Sequence, residues 1–333
     1  MSVTIKDIAK KANISYPSVS RALSGKPGVS SKTREKVLKI AKEMNYQPNA
    51  LARSLVQNRT ATIGLIIPDI LNPYFSETAK GVEDEAHSRG LSVFLCNSDW
   101  DGDREGKYID QLIANRVDGI ILFPTSPANI SEIRRKAGRK LPVVILGTTQ
   151  TEDVSISISI DNVLGAELSV VHLLNKKYRK LAFIGGKPGL SGVDDRLEGY
   201  KKALEKFGLP VENEMIVENG FTFESGYNAM NDLLDQSRRP DAVFAENDVI
   251  AMGVIQALRT RGLRVPEDIA VVGFDDIPMA SMAGIDLTTV RQPKYEMGKM
   301  AVSELHSVLQ GESVPNVNKR LVLEPKLIIR KTG

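Results

Sequence analysis

The first 45 residues carry apolar positions at helical spacing and predict three short helices. Thr4, followed by Asp7 three positions later, predicts a capping box at the start of the first helix. A tight turn at residues 13–14 separates it from a second helix, which Ser15 is expected to cap. The predicted helices cover residues 5–12, Tyr16 to about Ser24, and the stretch SSKTREKVLKIAKEMN, whose apolar stripe is Val37, Leu38, Ile40, Ala41 and Met44.

After Thr60 the pattern changes to continuous apolar runs separated by amphipathic stretches. Such runs are typical of strands that are covered on both faces of a parallel sheet. The runs are ATIGLIIP, LSVFLC, VDGIILF and LPVVILG, then KLAFIGG, DAVFAEND and IAVVGFDD, the last three alternating with helices predicted around 191–207, 224–236 and 247–262. Two rounds of this alternation favour two similar doubly wound lobes, and one large Rossmann-type sheet is the alternative.

Between these two patterns, a short helix is predicted from Asn49 to Gln57, just after Pro48. A helix of about nine residues is marginal in water, so we expect it to fold only when something braces it. The predicted organisation is a head at residues 1–47, a hinge helix and linker at 48–60, and a core at 61–333, with one lobe at about 61–160 plus 291–322 and the other at about 161–290 plus 323–333.

Charge is distributed unevenly along the chain. Residues 1–59 hold 12 Lys and Arg against 3 Asp and Glu, whereas the remainder holds 32 against 38. A basic head on a mildly acidic body is the electrostatic pattern of a nucleic-acid-binding protein, although a solvated lysine-rich surface would give the same composition. Motifs are needed to decide between these interpretations.

The chain lacks the residues that several functional classes require. No apolar run approaches the roughly 18–20 residues needed to span a bilayer, and the N-terminus lacks the apolar core of a signal peptide, so we expect a cytoplasmic protein with no membrane partner. Cys96 is the sole cysteine, and it is expected to be a buried strand residue rather than a catalytic thiol. His87, His172 and His306 lie on separate helical stretches without metal-ligand spacing, so neither an enzyme, a metal nor a cofactor is expected.

A helical wheel divides the second predicted helix into two faces. Val19, Ala22 and Leu23 would pack on the first helix, and the opposite face carries Tyr16, Pro17, Ser20 and Arg21. Two short helices joined by a tight turn, with a polar face on the second, predict a helix-turn-helix. Its arginine has the fork that binds O6 and N7 of guanine, and the helix N-termini at Thr4, Ser15 and Ser30 are predicted phosphate sites.

The stretch TIKDIAKKANISYPSVSRALSGKPGVSSKTREKVLKIAKEMNYQPNALARSL resembles, without a gap, the head-piece of the LacI/GalR family of bacterial transcription regulators. The resemblance continues along the chain in IGLIIPDILNPYF, RVDGIILF, DNVLGAELSVVHLL, RLEGYKKAL, AENDVIAMG and VPEDIAVVGFDD. It implies an all-α helix-turn-helix head with a hinge helix, followed by an α/β two-lobed core of doubly wound parallel sheets like that of periplasmic binding proteins. It also implies a homodimeric regulator, most often a repressor, on a pseudo-palindromic operator in double-stranded DNA; a tetramer stays open.

The family's DNA contacts can be carried over to matching positions. In the family, paired hinge helices order on DNA and a leucine wedges into the minor groove, and the matching residue is Leu55, with packing against the protein's own core as the alternative. The predicted DNA-binding residues are Thr4, Ser15, Tyr16, Pro17, Ser20, Arg21, Ser30, Thr33, Asn49, Ala52, Arg53 and Leu55.

Polar and aromatic side chains follow the predicted strands of the core, where a cleft between two lobes would bind a small polar effector, such as a sugar or sugar phosphate. The predicted effector-binding residues are Asn72, Tyr74, Phe75, Arg196, Phe221, Asn247 and Asp275. The resemblance assigns hydrogen bonds to Arg196, Asn247 and Asp275, and ring stacking to Phe221. In the simpler alternatives, Tyr74 and Phe75 are only core residues, and Asp248 only caps a helix. Arg196 would then form a surface ion pair with Asp194 or Glu198.

A two-lobed binding protein or a sugar-metabolising enzyme without operator specificity is the rival function. Gly147 stands where sugar-responsive members of the family often carry an acidic residue.

Overall fold

The structure is a computed structural model that describes residues 3–25, 27–46, 59–125, 127–137, 141–148, 156–186, 189, 191–237, 239–312 and 319–333. Contacts within the chain define two units, Met1–Thr60 and Ala61–Gly333. The predicted hinge helix lies outside the described residues, and so do Asn49, Ala52, Arg53 and Leu55.

The first unit contains the three predicted helices, α1 (Ile5–Ala12), α2 (Tyr16–Leu23) and α3 (Ser31–Glu43). Their shared core consists of Ile8, Ala12, Val19, Ala22, Val37, Ile40 and Ala41. Leu38 was expected in this core and is instead 48% exposed, because its position on α3 lies about 100° from Val37 around the helix axis. The expected apolar stripe of α3 is therefore narrower than predicted.

Only one of the two caps predicted for the first two helices is observed with its side-chain hydrogen bond. Thr4 and Asp7 form the predicted capping box on α1, and Asn13 ends α1 in the left-handed conformation with φ 52°. Ser15 stands at the N-cap of α2, but its side chain makes no capping bond. Its hydroxyl donates to Ser18 Oγ at 2.9 Å instead, and the second helical position is Pro17, which has no N–H to offer.

The described strands of the second unit are β1 (Thr62–Ile67), β2 (Ser92–Asn97), β3 (Gly119–Leu122), β4 (Val143–Leu146), β5 (Ile156–Ile160), β6 (Leu181–Gly185), β7 (Ile216–Glu218), β8 (Ala242–Ala245), β9 (Ala270–Val272), β10 (Thr289–Arg291), β11 (Lys319–Leu323) and β12 (Lys326–Ile328). The described helices are α4 (Pro73–Ser88), α5 (Gly102–Ala114), α6 (Pro127–Ala137), α7 (Asn162–Asn175), α8 (Ser191–Lys206), α9 (Phe223–Asp235), α10 (Asp248–Thr260) and α11 (Lys294–Gln310). Short 3₁₀ turns lie at Asn213–Met215 and Pro278–Ser281.

These strands form two separate parallel sheets, which excludes the single large sheet considered above. The first sheet has the order β11-β5-β4-β3-β1-β2 and the second β7-β6-β8-β9, and β10 pairs with β12 in an antiparallel ribbon. Helices α5 and α6 cover one face of the first sheet, and α4 and α11 cover the other. The chain passes between the lobes after β5, after β10 and after β11.

Strand β2 departs from the prediction that its apolar run is covered on both faces. It lies at the edge of the first sheet, where Phe94 is 50% exposed and Leu95 is 45% exposed. Cys96 is half-buried, not fully buried as expected. An edge strand keeps one long side free, so its apolar residues do not imply burial.

Candidate functional site

The polar face of α2 points to solvent. Tyr16 is 50% exposed, Pro17 and Arg21 are exposed, and Ser20 is half-buried. On the opposite side of the helix, Val19 and Ala22 are buried in the head core, and Leu23 is half-buried. The apolar side of α2 therefore packs in the head core, and its opposite face presents hydrogen-bonding side chains to solvent.

The N-termini of the three head helices differ in their free donors. On α1, the backbone N–H of Thr4 donates to the Asp7 carboxylate at 2.8 Å. On α3, Ser30 Oγ accepts from the backbone N–H of Thr33 at 3.2 Å, and the first turn contains no acidic residue. The first turn of α2 likewise lacks an acidic residue. Helices α2 and α3 thus offer the more positive N-termini.

A cleft in the second unit lies at the carboxyl ends of strands from both sheets. It encloses about 630 Å³ of space open to solvent. The lining includes all seven predicted effector-binding residues, Asn72, Tyr74, Phe75, Arg196, Phe221, Asn247 and Asp275. Ligands of doubly wound sheets bind at such strand ends, where loops from several strands converge.

Aromatic rings line much of this cleft. Tyr74 and Phe75 are both core residues and lining residues, and each meets Phe123 edge-on, with centroids 5.8 and 5.2 Å away. Phe221 was expected to offer its face to a ligand. In the structure that face is stacked on Trp100, with centroids 3.9 Å apart and planes at 9°. Trp100 follows β2 in the first lobe and Phe221 follows β7 in the second, so the stack joins the two lobes.

Arg196 is fixed inside the cleft rather than paired at the surface. Its Nε donates to Asn162 Oδ1 at 3.0 Å and its Nη1 donates to the Glu246 carbonyl at 2.7 Å. The guanidinium also lies 3.9 Å above the ring of Phe274. The alternative of a surface ion pair is wrong, since the Asp194 carboxylate instead accepts from the Gly189 N–H.

Two buried carboxyl groups of the cleft, those of Glu246 and Asp275, interact with the charge of Arg196. Burial raises the pKa of Glu246 to about 7, although Arg196 and the Gly186 N–H oppose this shift. Burial likewise raises the pKa of Asp275 to about 6, against the opposing charges of Arg196 and Lys294. Burial also raises the pKa of the Tyr74 phenol, which keeps it neutral and able to donate.

Asp275 sits on a strained backbone that its neighbours hold in place. Its φ is 117°, its Oδ1 accepts from Gln292 Nε2 at 2.6 Å, and Lys294 Nζ donates to its carbonyl at 2.7 Å. Such a conformation in a non-glycine residue persists only where the surroundings enforce it, and it is common at binding sites.

Asp248 does not cap a helix, contrary to the alternative raised above. Asn247 is the N-cap of α10, since its Oδ1 accepts from the Ile250 N–H at 2.7 Å. The fully buried carboxylate of Asp248 accepts from the Ile277 N–H and the Thr289 hydroxyl, at 2.8 and 2.5 Å. It therefore anchors the loop that carries Asp275.

Among the lining residues that sequence reasoning missed, Trp100, Phe123 and Glu246 are those with an aromatic ring or a charge. Phe123 and Glu246 directly follow β3 and β8, and Trp100 lies three residues after β2, so position after an apolar run was a usable signal. Within the described part of the chain, no cluster of three or more metal-ligating side chains occurs, and no helix is long and apolar enough to cross a membrane.

Comparisons with known proteins agree with this architecture. Residues 4–49 match the family model of bacterial regulatory proteins of the lacI family, and residues 170–332 match the periplasmic binding protein-like domain. The HTH-type transcriptional regulator DegA of Bacillus subtilis is 36% identical over 335 residues, covering 99% of this chain and 98% of DegA.

Two further relatives extend over nearly the full length. The ribose operon repressor of Escherichia coli is 38% identical over 329 residues and 98% of each chain. The lac repressor dimer bound to operator and the anti-inducer ONPF is 29% identical with a TM-score of 0.88, covering 100% of this chain and 99% of that one. The chain belongs to the lacI family of bacterial regulatory proteins and is a DNA-binding transcription regulator with a helix-turn-helix head.

Proposed function

We propose that this regulator represses transcription as a homodimer on a pseudo-palindromic operator, with one α2 in each of two successive major grooves. The observation that carries the proposal is the exposed polar face of α2, with Tyr16 and Arg21 outward. In this arrangement Arg21 reads guanine through its two-donor fork, Pro17 makes apolar contact with a base, and Ser20 offers a hydroxyl. Because the partner is DNA, the site of action is the bacterial cytoplasm.

Phosphate contacts would position the head on the duplex. Ser30 and Thr33 place the acid-free N-terminus of α3 where its N–H groups can donate to a phosphate, and Ser15 does the same for α2. Thr4 makes a weaker contact, because Asp7 already accepts its N–H.

The hinge completes the operator contact in this proposal. Leu55 would wedge into the minor groove between the two half-sites, beside Ala52, while Asn49 and Arg53 contact the backbone. An apolar wedge unstacks a base step and bends the duplex, which exposes more surface to the protein.

A second copy of the chain would cover the apolar edge of the first sheet. Phe94 and Leu95 on β2 are half-exposed, and Leu71 in the loop after β1 is 87% exposed. Exposed apolar groups of this size usually mark an interaction surface. Dimerisation through β2 would bring two heads to one operator.

The effector in this proposal is a sugar or a related metabolite bound in the cleft. Arg196, Asn247 and Asp275 would hydrogen bond to it, while Asn72 and Tyr74 would complete the polar contacts from the first lobe. Phe75 and Phe221 contribute apolar walls. Closing the lobes on a ligand would change the spacing of the heads, with a coupling free energy of about 1–3 kcal/mol.

The test uses duplexes enriched from a random pool by the full-length chain. We expect Arg21→Ala to lose sequence preference while keeping weak, salt-sensitive binding, because a bidentate arginine–guanine pair contributes about 1–3 kcal/mol of discrimination. Fluorescence anisotropy with the enriched duplex and a scrambled duplex measures the ratio of their affinities.

Lys42→Ala is the matched control, since it removes an equal charge from an exposed position in the last turn of α3. It should weaken both duplexes alike and keep their ratio. An Arg21→Ala variant with the wild-type ratio would refute the recognition role of α2. A wild-type chain without any sequence preference would favour the rival two-lobed binding protein.

A further inference from the structure

Resting on the proposed effector role of the cleft, we infer that Glu246 sets the charge of the effector. The site accepts a neutral or amine-bearing polyhydroxylated ring and rejects the phosphorylated form of the same ring. The charged side chains in the described lining of the cleft are Arg196, Glu246 and Asp275.

Glu246 has one oxygen that the described protein leaves for a ligand. The residue is 3% exposed, and its Oε2 accepts from the Gly186 N–H at 2.5 Å. Its Oε1 lies 3.8 Å from Arg196 Nη1, beyond hydrogen-bond distance, and among the described residues no donor reaches it. Buried carboxylate oxygens are normally hydrogen bonded, so a hydroxyl or ammonium group of a ligand fits this position.

Asp275 adds a second acceptor on the same side. It is also 3% exposed, and its described side-chain bond is the one from Gln292 to Oδ1. A ligand ammonium or hydroxyl group can donate to both of these carboxyl groups in their ionised form, whereas a phosphate oxygen can be accommodated only where a carboxyl group is protonated.

Arg196 does not offset this acidity for an incoming anion. Two of its nitrogens are engaged by Asn162 and by the Glu246 carbonyl, and its charge is already opposed by the Glu246 carboxylate. A phosphate dianion would therefore meet two buried carboxyl groups, and both would have to be protonated to avoid repulsion between like charges.

The aromatic lining favours the same ligand class. Phe123 and the stacked pair of Trp100 and Phe221 line the cleft, and a ring face that no other ring covers can pack against the C–H face of a sugar. The same faces attract a cation through their negative π surface. Neither effect assists a phosphorylated substituent.

The experiment uses the full chain and two matched series of probes: D-glucose, D-glucosamine and D-glucose 6-phosphate, and the corresponding galactose compounds. Thermal shift and calorimetry should detect binding by neutral or amine-bearing members and not by phosphorylated members. Glu246→Gln should weaken the amine-bearing member about tenfold or more relative to the neutral one, since it removes a charge-assisted hydrogen bond. It should also raise the relative affinity of the phosphorylated member.

Glu224→Gln is the control, because it removes the same charge from an exposed position on α9. Equal or tighter binding of a phosphorylated hexose by the wild type would overturn the inference. So would the absence of binding by every neutral and amine-bearing probe, or a Glu246→Gln variant with wild-type preferences. Operator affinity measured on the same samples is a separate readout, so loss of DNA selectivity and loss of charge selectivity are told apart.

Discussion

Glu246 is a carboxyl group whose surroundings act on it in opposite directions. Burial disfavours its ionised form, whereas Arg196 and the Gly186 N–H favour it, and burial has the larger effect, giving a pKa of about 7. In the unfolded chain the same group has an ordinary pKa near 4.5. Between these two pH values the folded chain holds a proton that the unfolded chain has lost.

Stability should therefore fall as the pH rises from about 4.5 to about 7, to the extent that Glu246 contributes. Glu246→Gln removes this dependence and keeps an oxygen that accepts from Gly186. We expect the variant to gain stability relative to the wild type at pH 8 by up to about 3 kcal/mol, and to gain little at pH 4.5.

Chemical denaturation of the core unit at both pH values measures this difference. Glu224→Gln, at an exposed position, should show a difference that does not change with pH. A Glu246→Gln variant whose advantage is the same at pH 4.5 and pH 8 would contradict a raised pKa.

Chain position alone predicted which polar side chains would line the cleft. Asn72, Asn247 and Asp275 each follow a strand, and parallel strands bring those ends to one edge. The pairing of Trp100 with Phe221 depends on how two lobes approach, which no local pattern encodes. The capping bond of Ser15 is absent for a local reason, because the hydroxyl of Ser18 in the same turn offered an equivalent bond.

At the scale of elements, helices α4 and α11 touch through their backbones. A Cβ added at Gly81 would lie 2.1 Å from the Tyr295 carbonyl oxygen, and one added at Gly298 would lie 2.2 Å from the Thr78 carbonyl oxygen. Both glycines are buried. The first lobe thus holds its C-terminal helix by a close approach that any side chain would prevent.

Gly81→Ala should destabilise the core unit by about 1–3 kcal/mol, because the two helix backbones must move apart. Gly106→Ala is the matched substitution on α5, where the nearest atom to a new Cβ is Asn129 Oδ1 at 3.5 Å. It should be neutral or stabilise by up to about 1 kcal/mol, since glycine is a poor helix former. Urea denaturation compares the two, and equal effects would argue against the close approach.

The alternation of strands and helices was predictable because apolar periodicity differs between the two. Whether an apolar strand is central or at an edge was not predictable, as β2 shows with Phe94 and Leu95 half-exposed. An apolar run predicts that other residues cover the strand, but it does not predict whether those residues belong to the same chain. In this chain the cover for β2 is not among the described residues of the chain itself.

At the scale of the whole molecule, the two edges of the first sheet give a matched test of dimerisation. Leu95 on β2 is 45% exposed and Val322 on β11, at the opposite edge, is 55% exposed. We expect Leu95→Lys to yield monomers, because a buried unpaired charge opposes association, and Val322→Lys to leave the dimer intact. Sedimentation velocity measures the mass, and a dimeric Leu95→Lys variant would exclude β2 from the interface.

The stack of Trp100 on Phe221 has a practical consequence, since this indole is the sole one in the 333-residue chain. Its light emission comes from a single place, the seam where the lobes meet. Any movement that separates the lobes also separates Trp100 from Phe221 and changes the polarity around the indole. The fluorescence of Trp100 therefore reports opening of the cleft without an added label, and no second tryptophan contributes to the signal.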